Sequence, residues 1–451
     1  MNIGRVYVWQ SDPNGGHYGR LRTASLALRN LESVHRGDSA HETCCRLSGR
    51  HVRVLNAGAV SERDPESDAV GRIALGNARP NEQGDFLFDP GRGGGRADKI
   101  VFDRGEDAAT EFVESGVAYP QREFRARYAQ AAHFGEVNSY FHLDRMAAYV
   151  NAMLRRLDAP ILPRVTAVVN AHDAATEYEG MRDGLRRGDH WVPFQGGHYR
   201  LSRRSRDPVE CHPVCPQGEI HLGAGRQLLE HGALARLAGG RYRANASHNA
   251  GILYHEYGHH ITRHTADFRV NVRHHAERQD NRKTGIDEGT SDYWAAAMLG
   301  TPHIWILHHR HDAEAIHPRS LVSRKTMADY DGKKGADPHA NGTIWAAALW
   351  DLRHAFTVTR ADGAHAADLL VLKTLLLLGQ LGLDQQHMNR RNLRRARSDF
   401  STGLSCLLLA DSELHGGRHQ ALILSTFAKR GIEKPANGAP LLVPANPDDA
   451  D

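Results

Sequence analysis

The segment Gly251–His264 (GILYHEYGHHITRH) decides the fold, because it contains the pattern His-Glu-x-x-His at His255, Glu256 and His259. Apolar residues recur around this pattern at helical spacing, which predicts a partly buried helix over about residues 249–265. Residues four apart lie on one face of a helix, so both imidazoles can point at one ion. Zinc accepts such nitrogen ligands, and a neighbouring glutamate can take a proton from a water on the metal. The pattern therefore predicts a zinc site with Glu256 as its base.

A second acidic motif, GIDEGTSDYWAA, supports this prediction, since 30 histidines in 451 residues make a chance match to the first pattern a real risk. Its Glu288 follows His259 by 288 − 259 = 29 residues, on a separate helix predicted over 287–299. A catalytic zinc takes three protein ligands and one water, and two histidines with one glutamate are an established set. Glu288 is therefore the predicted third ligand. The alternative is an acidic helix start, which the helix dipole favours.

Two further residues are candidates for supporting roles. Asp292 lies one helical turn after Glu288, where a carboxylate could accept the free ring N–H of a zinc-bound histidine and fix its orientation. In a third motif, DPHANGTIWAAALWDLR, His339 is predicted in a loop just before a helix over 342–356. As a hydrogen-bond donor, His339 could stabilise the oxyanion of an attacked carbonyl. A capping or surface histidine is the competing interpretation, and Tyr330 is a weaker candidate for the same donor role.

The composition is that of a soluble globular protein, with 40% hydrophobic and 24% charged residues. A net charge of +4 is small for this length and the basic residues are scattered, so no nucleic-acid partner is predicted. The most apolar stretch, residues 369–383, contains Lys373 and Gln380 and predicts a buried helix rather than a membrane span. The first residues, MNIGRVYVWQSD, lack the basic start and apolar run of a signal peptide.

The pattern of residues along the chain predicts four segments. Residues 1–125 are rich in Gly, Asp, Arg and Pro and contain short alternations, RVYVW and HVRVL, that predict strands. Residues 126–300 combine a long amphipathic helix, the strands RVTAVVNAH and EIHLG, and both zinc motifs. Residues 301–434 are predicted to be mainly helical, and residues 435–451 form a tail rich in Pro and Asp.

Two other features have a structural interpretation. Cys211 and Cys215 flank His212 in a short loop, where a local disulfide, free thiols and a minor metal site are all compatible and structural use is favoured. The adjacent cysteines at 44–45 are interpreted as buried or loop residues rather than ligands. The glycine run at 91–95 has no clear strand before it and no clear helix after it, so a mobile loop is predicted rather than a phosphate-binding loop.

Three motifs resemble those of the thermolysin-like gluzincins, and most closely those of the fungalysin-type metallopeptidases. These motifs are HEYGHH at His255–His260, DEGTSDYWA at Asp287–Ala295 and HANGTIWAAALWDLR at His339–Arg353. Weaker resemblance extends to EVNSYFHLDR at Glu136–Arg145 and to the stretches LLLADSELHGG and FAKRG. The resemblance covers about residues 134–432, with a looser β-rich match before them.

The resemblance implies an α+β fold of two lobes with the active-site cleft between them. A β-rich N-terminal lobe carries the His-Glu-x-x-His helix, and the C-terminal lobe is mainly helical. The resemblance also implies a zinc metalloendopeptidase with one zinc per chain, held by His255, His259 and Glu288. Glu256 is then the general base, His339 is the donor to the transition state, and the aspartate one turn after Glu288 supports a ligand.

The same resemblance implies features of the substrate site and the environment. The strand EIHLG, with Ile220, His221 and Leu222, would be a sheet edge that pairs with an extended peptide through main-chain hydrogen bonds. An ordinary sheet strand is the alternative. Family members are exported with a propeptide, whereas no leader is visible here, so secretion is implied and a cytoplasmic location stays open. These residues place neither calcium sites nor an oligomeric state.

Three alternatives to a zinc endopeptidase stay open. An exopeptidase on the same site would need groups that capture a terminal amine or carboxylate, and no clear motif for either is present. A catalytically silent peptide-binding module would not need Glu256, which is intact. A zinc hydrolase that acts on non-peptide amides is the third alternative.

Overall fold

The computed structural model describes residues 2–10, 20–32, 47–63, 70–90, 121–174, 191–193, 196–200, 218–223, 245–268, 285–304, 319–332, 336–381 and 399–434. These residues form both strands and helices, so the prediction of an α+β fold is confirmed. The predictions for the cysteines at 44–45, 211 and 215, for the glycine run at 91–95 and for the tail at 435–451 concern residues outside these ranges.

The described residues contain nine strands. They are β1 (Ile3–Gln10), β2 (Arg20–Ala27), β3 (Val52–Asn56), β4 (Ala59–Arg63), β5 (Val70–Ala74), β6 (Val165–Ala174), β7 (Trp191–Pro193), β8 (Gly197–Arg200) and β9 (Glu219–Gly223). The predicted strands RVYVW, HVRVL, RVTAVVNAH and EIHLG lie in or overlap β1, β3, β6 and β9, which confirms them. β1 and β2 form one antiparallel pair, and β4 and β5 form another.

The described residues also contain seven α-helices. They are α1 (Gln121–Arg156), α2 (Ala250–His264), α3 (Gly285–Leu299), α4 (Pro338–Thr359), α5 (Gly363–Gln380), α6 (Phe400–His415) and α7 (Gln420–Ala428). Short 3-10 turns lie at Ala246–His248 and Met327–Asp329. None of the described helices is long and apolar enough to cross a membrane.

The strand EIHLG is an interior strand of a five-stranded sheet, which corrects its assignment as a sheet edge. The order is β3-β6-β9-β8, and β7 pairs with β6. β9 pairs in parallel with β6 and antiparallel with β8, so its main-chain groups are used within the sheet. Its central residues Ile220, His221 and Leu222 are buried. In the described part of the sheet, β8 lies outside β9 and ends the order.

The described residues fall into two compact units. One unit includes Met1–Ala148 and Pro163–Glu256, and the other includes Tyr149–Leu162, Tyr257–Ile304 and the residues from Arg319 onward. The division lies inside α2, directly after Glu256, although α2 is one continuous helix. The four consecutive segments predicted from the sequence stay a prediction.

In the first unit, His142 of α1 joins α2 to β1. Its Nε2 lies 2.8 Å from the carbonyl oxygen of Tyr7, and its Nδ1 lies 2.7 Å from the hydroxyl of Tyr254. Because a carbonyl oxygen only accepts, Nε2 carries the hydrogen and Nδ1 accepts from Tyr254. Burial lowers the pKa of His142 to about 4, so the imidazole is neutral and both nitrogens stay in these bonds.

In the second unit, glycines let α2, α3 and α4 approach closely. A Cβ at Gly258 of α2 would lie 2.6 Å from Cα of Ser291 on α3. A Cβ at Gly289 of α3 would lie 2.3 Å from the carbonyl oxygen of Gly342 on α4. Any larger side chain at these positions would push the helices apart, because protein interiors have no room for such overlap.

Candidate metal centre

Helix α2 carries the His-Glu-x-x-His pattern, as predicted. The helix begins after Asn249, whose side chain accepts a hydrogen bond from the backbone N–H of Gly251 at 2.9 Å. His255, Glu256 and His259 are all buried, with at most 3% of each residue exposed. Burial of polar side chains is costly unless each finds a partner, so the residues around this helical turn decide what the site can do.

Asp287, in the first turn of α3, supports His259. Its Oδ1 lies 3.0 Å from Nδ1 of His259 and accepts a hydrogen bond from the hydroxyl of Thr262 at 2.6 Å. The hydroxyl of Ser291 lies 3.1 Å from the same Nδ1. A hydrogen on Nδ1 leaves the lone pair on Nε2, which is what a metal-ligating histidine needs. The contact between Asp287 and His259 was not predicted from the sequence. The available signal was the position of Asp287 directly before the predicted ligand Glu288.

Glu288 approaches the other ring nitrogen of His259. Its Oε2 lies 3.5 Å from Nε2 of His259 and 3.0 Å from Nε2 of His339. Nη2 of Arg319 lies 3.8 Å from the same oxygen, and the side chain of Glu288 is fully buried. The predicted third ligand therefore lies beside the second histidine of the pattern, although 29 residues separate them in the chain, from 259 to 288.

Three side chains offer ligand atoms close to one point. They are His259, Glu288 and His339 of the second unit, where Oε2 of Glu288 lies 3.5 Å from Nε2 of His259 and 3.0 Å from Nε2 of His339. Imidazole nitrogens and a carboxylate oxygen are ligands that zinc takes, so the residues present fit a zinc ion. Oε2 of Glu256 is buried and has no hydrogen-bond partner among the described residues. A buried carboxylate oxygen in that state is expected to bind a solvent molecule or a substrate group.

His339 lies in the first turn of α4 rather than in a loop before the helix, which corrects its predicted position. Asp337 caps α4 by accepting from the backbone N–H of His339 at 3.0 Å, and Pro338 follows it, so the helix begins before residue 342. Burial and the charge of Arg319 oppose protonation of His339. Hydrogen bonds to Asp337 and Glu288 outweigh them and raise its pKa.

Asp337 contacts the ring of His339 as well as its backbone. Its Oδ1 lies 2.9 Å from Nδ1 of His339. This hydrogen bond is the main reason that the pKa of Asp337 is lowered to about 2. Since Nε2 of His339 faces Glu288, the imidazole has a carboxylate on each nitrogen. Both nitrogens can donate at once only when the ring is protonated.

Asp292 accepts a hydrogen bond from Nε of Arg319 at 2.8 Å. Because Nη2 of Arg319 also approaches Glu288, this guanidinium contacts two carboxylates that lie one turn apart on α3. The supporting role of Asp292 beside a zinc-bound histidine stays a prediction. Arg319 was not predicted, and no motif in the sequence marks it.

Gly197 on β8 leaves the space that the side chain of Glu256 occupies. A Cβ at Gly197 would lie 2.8 Å from Cγ and 3.1 Å from Oε1 of Glu256. It would also lie 2.7 Å from Cγ2 of Ile252, the neighbouring side chain on α2. Such distances are shorter than carbon atoms keep in a packed interior. The backbone of β8 therefore lies directly against the candidate base.

A family model described as fungalysin metallopeptidase matches residues 5–436, which is nearly the whole chain. The matched region contains both zinc motifs and His339. No curated protein matches the chain.

Proposed function

The chain belongs to the fungalysin metallopeptidase family, and from this premise we propose that it is an endopeptidase with Glu256 as its general base. As a member of this family it is a zinc-dependent hydrolase of peptides or proteins. In the proposed site, His255, His259 and Glu288 hold one zinc ion. His339 is assigned as the hydrogen-bond donor to the transition state. Asp292 is assigned as the carboxylate that supports a zinc-bound histidine.

The observation that carries this proposal is the approach of Glu288 to His259. Oε2 of Glu288 and Nε2 of His259 are 3.5 Å apart, and Asp287 holds the opposite nitrogen of the same ring. Two zinc ligands of a tetrahedral site lie about 3.4 Å apart when each bond is about 2.1 Å. The separation of these two atoms therefore fits a shared ion. His255 lies one turn before His259 on α2, so the two imidazoles share one face of the helix.

When bound, zinc supplies a Lewis acid that polarises the scissile carbonyl and lowers the pKa of a water from about 15.7 toward about 7. Glu256 follows the first histidine of the pattern, and its Oε2 is buried without a hydrogen-bond partner among the described residues. We assign to this oxygen the proton that the attacking water loses. The Glu256 carboxyl then passes the proton to the amine that leaves.

His339 is the proposed donor to the oxyanion that develops on the attacked carbonyl. Asp337 binds Nδ1 of His339 and favours the protonated ring, so Nε2 carries a hydrogen that can be donated. Nε2 already points toward Glu288, at 3.0 Å, which supports a position beside the proposed ligands. Asp292 is assigned to orient a zinc-bound histidine, and Arg319 orients Asp292.

The substrate main chain is assigned to β8 rather than to Ile220, His221 and Leu222. β9 has a paired strand on each side, whereas β8 ends the described sheet. A sheet edge offers main-chain hydrogen bonds to an extended peptide without demanding particular side chains. Gly197 of β8 lies against Glu256, so a peptide on this strand would pass close to the base.

A cleavage assay on peptides with an acetylated N terminus and an amidated C terminus tests the endopeptidase proposal. We expect internal cleavage, detected by mass spectrometry, that a zinc chelator abolishes and added zinc restores. The same peptides with free termini are the matched control. Loss of single terminal residues from the unblocked peptides alone would instead identify an exopeptidase.

Two other outcomes would also contradict the proposal. If the purified chain binds zinc and binds peptides but cleaves none of them, it is a peptide-binding module. If it hydrolyses only amides outside peptides, the substrate class is wrong. Because zinc content is measured in the same samples, a chain that has lost its metal is distinguished from both outcomes.

A further inference from the structure

A second group of metal-ligand side chains lies at the corner between α6 and α7, formed by residues that the candidate metal centre does not use. Asp411, His415 and His419 each offer one ligand atom, and these atoms lie within 4.8 Å of one another. Asp411 is fully buried, whereas 11% of the His415 side chain and 23% of the His419 side chain are exposed. Solvent therefore reaches the two imidazoles but not the carboxylate.

The backbone of the corner brings these residues together. α6 ends at His415, and Gly416 and Gly417 follow with φ of 65° and 78°, which reverses the chain. The backbone N–H of His419 then donates to Oδ2 of Asp411 at 2.9 Å, and the N–H of Gly417 donates to the carbonyl oxygen of Asp411 at 3.2 Å. The group needs only nine consecutive residues, 411 to 419, so little chain entropy opposes its assembly.

Both imidazoles present the same atom to the carboxylate. Nδ1 of His415 lies 3.1 Å and Nδ1 of His419 lies 2.7 Å from Oδ1 of Asp411. The ring centroids of the two histidines are 4.8 Å apart, and the ring of Phe356 lies 4.6 Å from that of His419. The ring of Phe356 packs beside that of His419, so both ligand nitrogens lie close to the carboxylate before any ion arrives.

We propose that Asp411, His415 and His419 form a second zinc site, separate from the catalytic one. Two imidazole nitrogens and a carboxylate oxygen are a ligand set that zinc accepts, and solvent can supply the fourth ligand on the exposed side. The site binds zinc without a part in peptide hydrolysis, and it connects α6 to the start of α7.

The distances from the two imidazole nitrogens to the carboxylate oxygen suit zinc after a small adjustment. Ligand atoms around a tetrahedral zinc lie about 3.4 Å apart, so the two nitrogens must withdraw from Oδ1 by about 0.3 to 0.7 Å. Rotation of two partly exposed imidazoles supplies such a shift. On binding, each ring moves its hydrogen from Nδ1 to Nε2, a change of tautomer that solvent can mediate. Burial, together with His419, lowers the pKa of His415, which keeps this imidazole neutral and competent as a ligand.

Zinc content per chain tests the proposal. The purified protein is equilibrated with a buffer that holds free zinc in the micromolar range, separated from unbound metal, and measured by mass spectrometry of the element. We expect two zinc ions per chain in the parent and one in each of His415→Asn and His419→Asn. Asparagine places an amide N–H close to the position of Nδ1, so the hydrogen bond to Asp411 and the fold are expected to persist.

Matched variants distinguish zinc bound at this site from zinc bound elsewhere on the protein. His354→Asn removes an exposed histidine of α4 and should leave two ions per chain. His255→Ala should remove the catalytic ion, and combining it with His419→Asn should leave none. Peptide hydrolysis should be unchanged in His419→Asn, so this test does not depend on the proposed reaction.

Added zinc should also raise the melting temperature of His255→Ala, and this rise should disappear when His419→Asn is added. One ion per chain in the parent would overturn the proposal. Two ions that persist in the double variant of His415→Asn and His419→Asn would also overturn it, because the second ion would then lie elsewhere. His415 and His419 could instead only stabilise the turn between α6 and α7 through their hydrogen bonds to Asp411. In that case the single variants will lose stability without losing zinc, which would also overturn the proposal.

Discussion

Oδ1 of Asp287 lies 3.0 Å from Nδ1 of His259 and accepts the hydrogen bond that orients this ring. The same oxygen binds the hydroxyl of Thr262, so two side chains on one face of α2 fix its position. The hydrogen that Nδ1 donates leaves Nε2 with its lone pair, on the side where Glu288 lies. A carboxylate partner also makes the imidazole a stronger base and hence a better ligand. The orientation of one proposed zinc ligand thus depends on a residue that does not bind the metal itself.

Asp287→Asn should weaken zinc binding by about 10- to 100-fold, because it replaces the charged partner of a ligand histidine with a neutral one. Competition with a chromophoric chelator measures the affinity. The exposed Asp362→Asn is the charge-matched control and should bind zinc as the parent does. Equal zinc affinity in Asp287→Asn and the parent would show that the aspartate only stabilises the start of α3.

Gly197→Ala should lower kcat by about 10- to 100-fold with zinc content unchanged. The added methyl would lie 2.8 Å from Cγ of Glu256, so the base must move, although the ligands keep their positions. Gly332→Ala is the matched control, since among the described residues only a ring carbon of Tyr330, at 4.0 Å, would lie near its Cβ. A Gly197→Ala enzyme with the parent kcat would show that Glu256 tolerates displacement or has another role.

Asp337→Asn should shift the alkaline limb of the kcat/KM profile to lower pH. The hydrogen bond that His339 donates to Asp337 is one of the two that raise the pKa of His339, so weakening it lets the ring lose its proton at lower pH. Activity that needs the protonated donor is present below the pKa of His339 and is lost as pH rises through it. A profile that moves to higher pH, or does not move, would contradict the donor role.

The stability of the first unit should depend on pH through His142. Its pKa is lowered to about 4 in the folded protein, mainly by burial, against an ordinary value of 6.5. The unfolded chain therefore binds more protons between these values, and stability is complete above pH 6.5 and falls as pH drops toward 4. The loss is at most about 3 kcal/mol for a shift of this size.

His142→Gln should remove most of this dependence, since glutamine can donate to the carbonyl oxygen of Tyr7 but does not titrate. Urea unfolding at pH 7, 6, 5 and 4 measures the free energy of unfolding for both proteins. His354→Gln is the control, because that histidine is exposed. Parallel slopes for His142→Gln and the parent would mean that other groups control the acid sensitivity.

The sequence predicted the elements whose signals are local. The zinc helix was predicted over about 249–265 and spans Ala250–His264, because apolar residues recur at helical spacing and Asn249 caps the start. The strand EIHLG was predicted correctly as a strand. Its neighbours could not be predicted, since β8 is only four residues long and pairing between distant segments leaves no local pattern.

The site contacts that the sequence did not predict are those between segments distant in the chain. Asp287 and Asp292 belong to one short motif, and only the packing of α2 against α3 decides that Asp287 binds His259. Arg319 reaches Asp292 from a separate stretch that carries no motif. The start of α4 could have been found, because an Asp followed by Pro338 is the usual pair at a helix cap and first position.

Zinc content and turnover of Glu256→Gln, measured on one preparation, test the central assignment most directly. Glutamine keeps the size of the side chain but cannot take a proton, so we predict the parent zinc content with kcat lower by at least about 100-fold. His255→Ala should in contrast lose the zinc itself. If Glu256→Gln cleaves blocked peptides at the parent rate, or if it loses its zinc, Glu256 is not the base beside this metal.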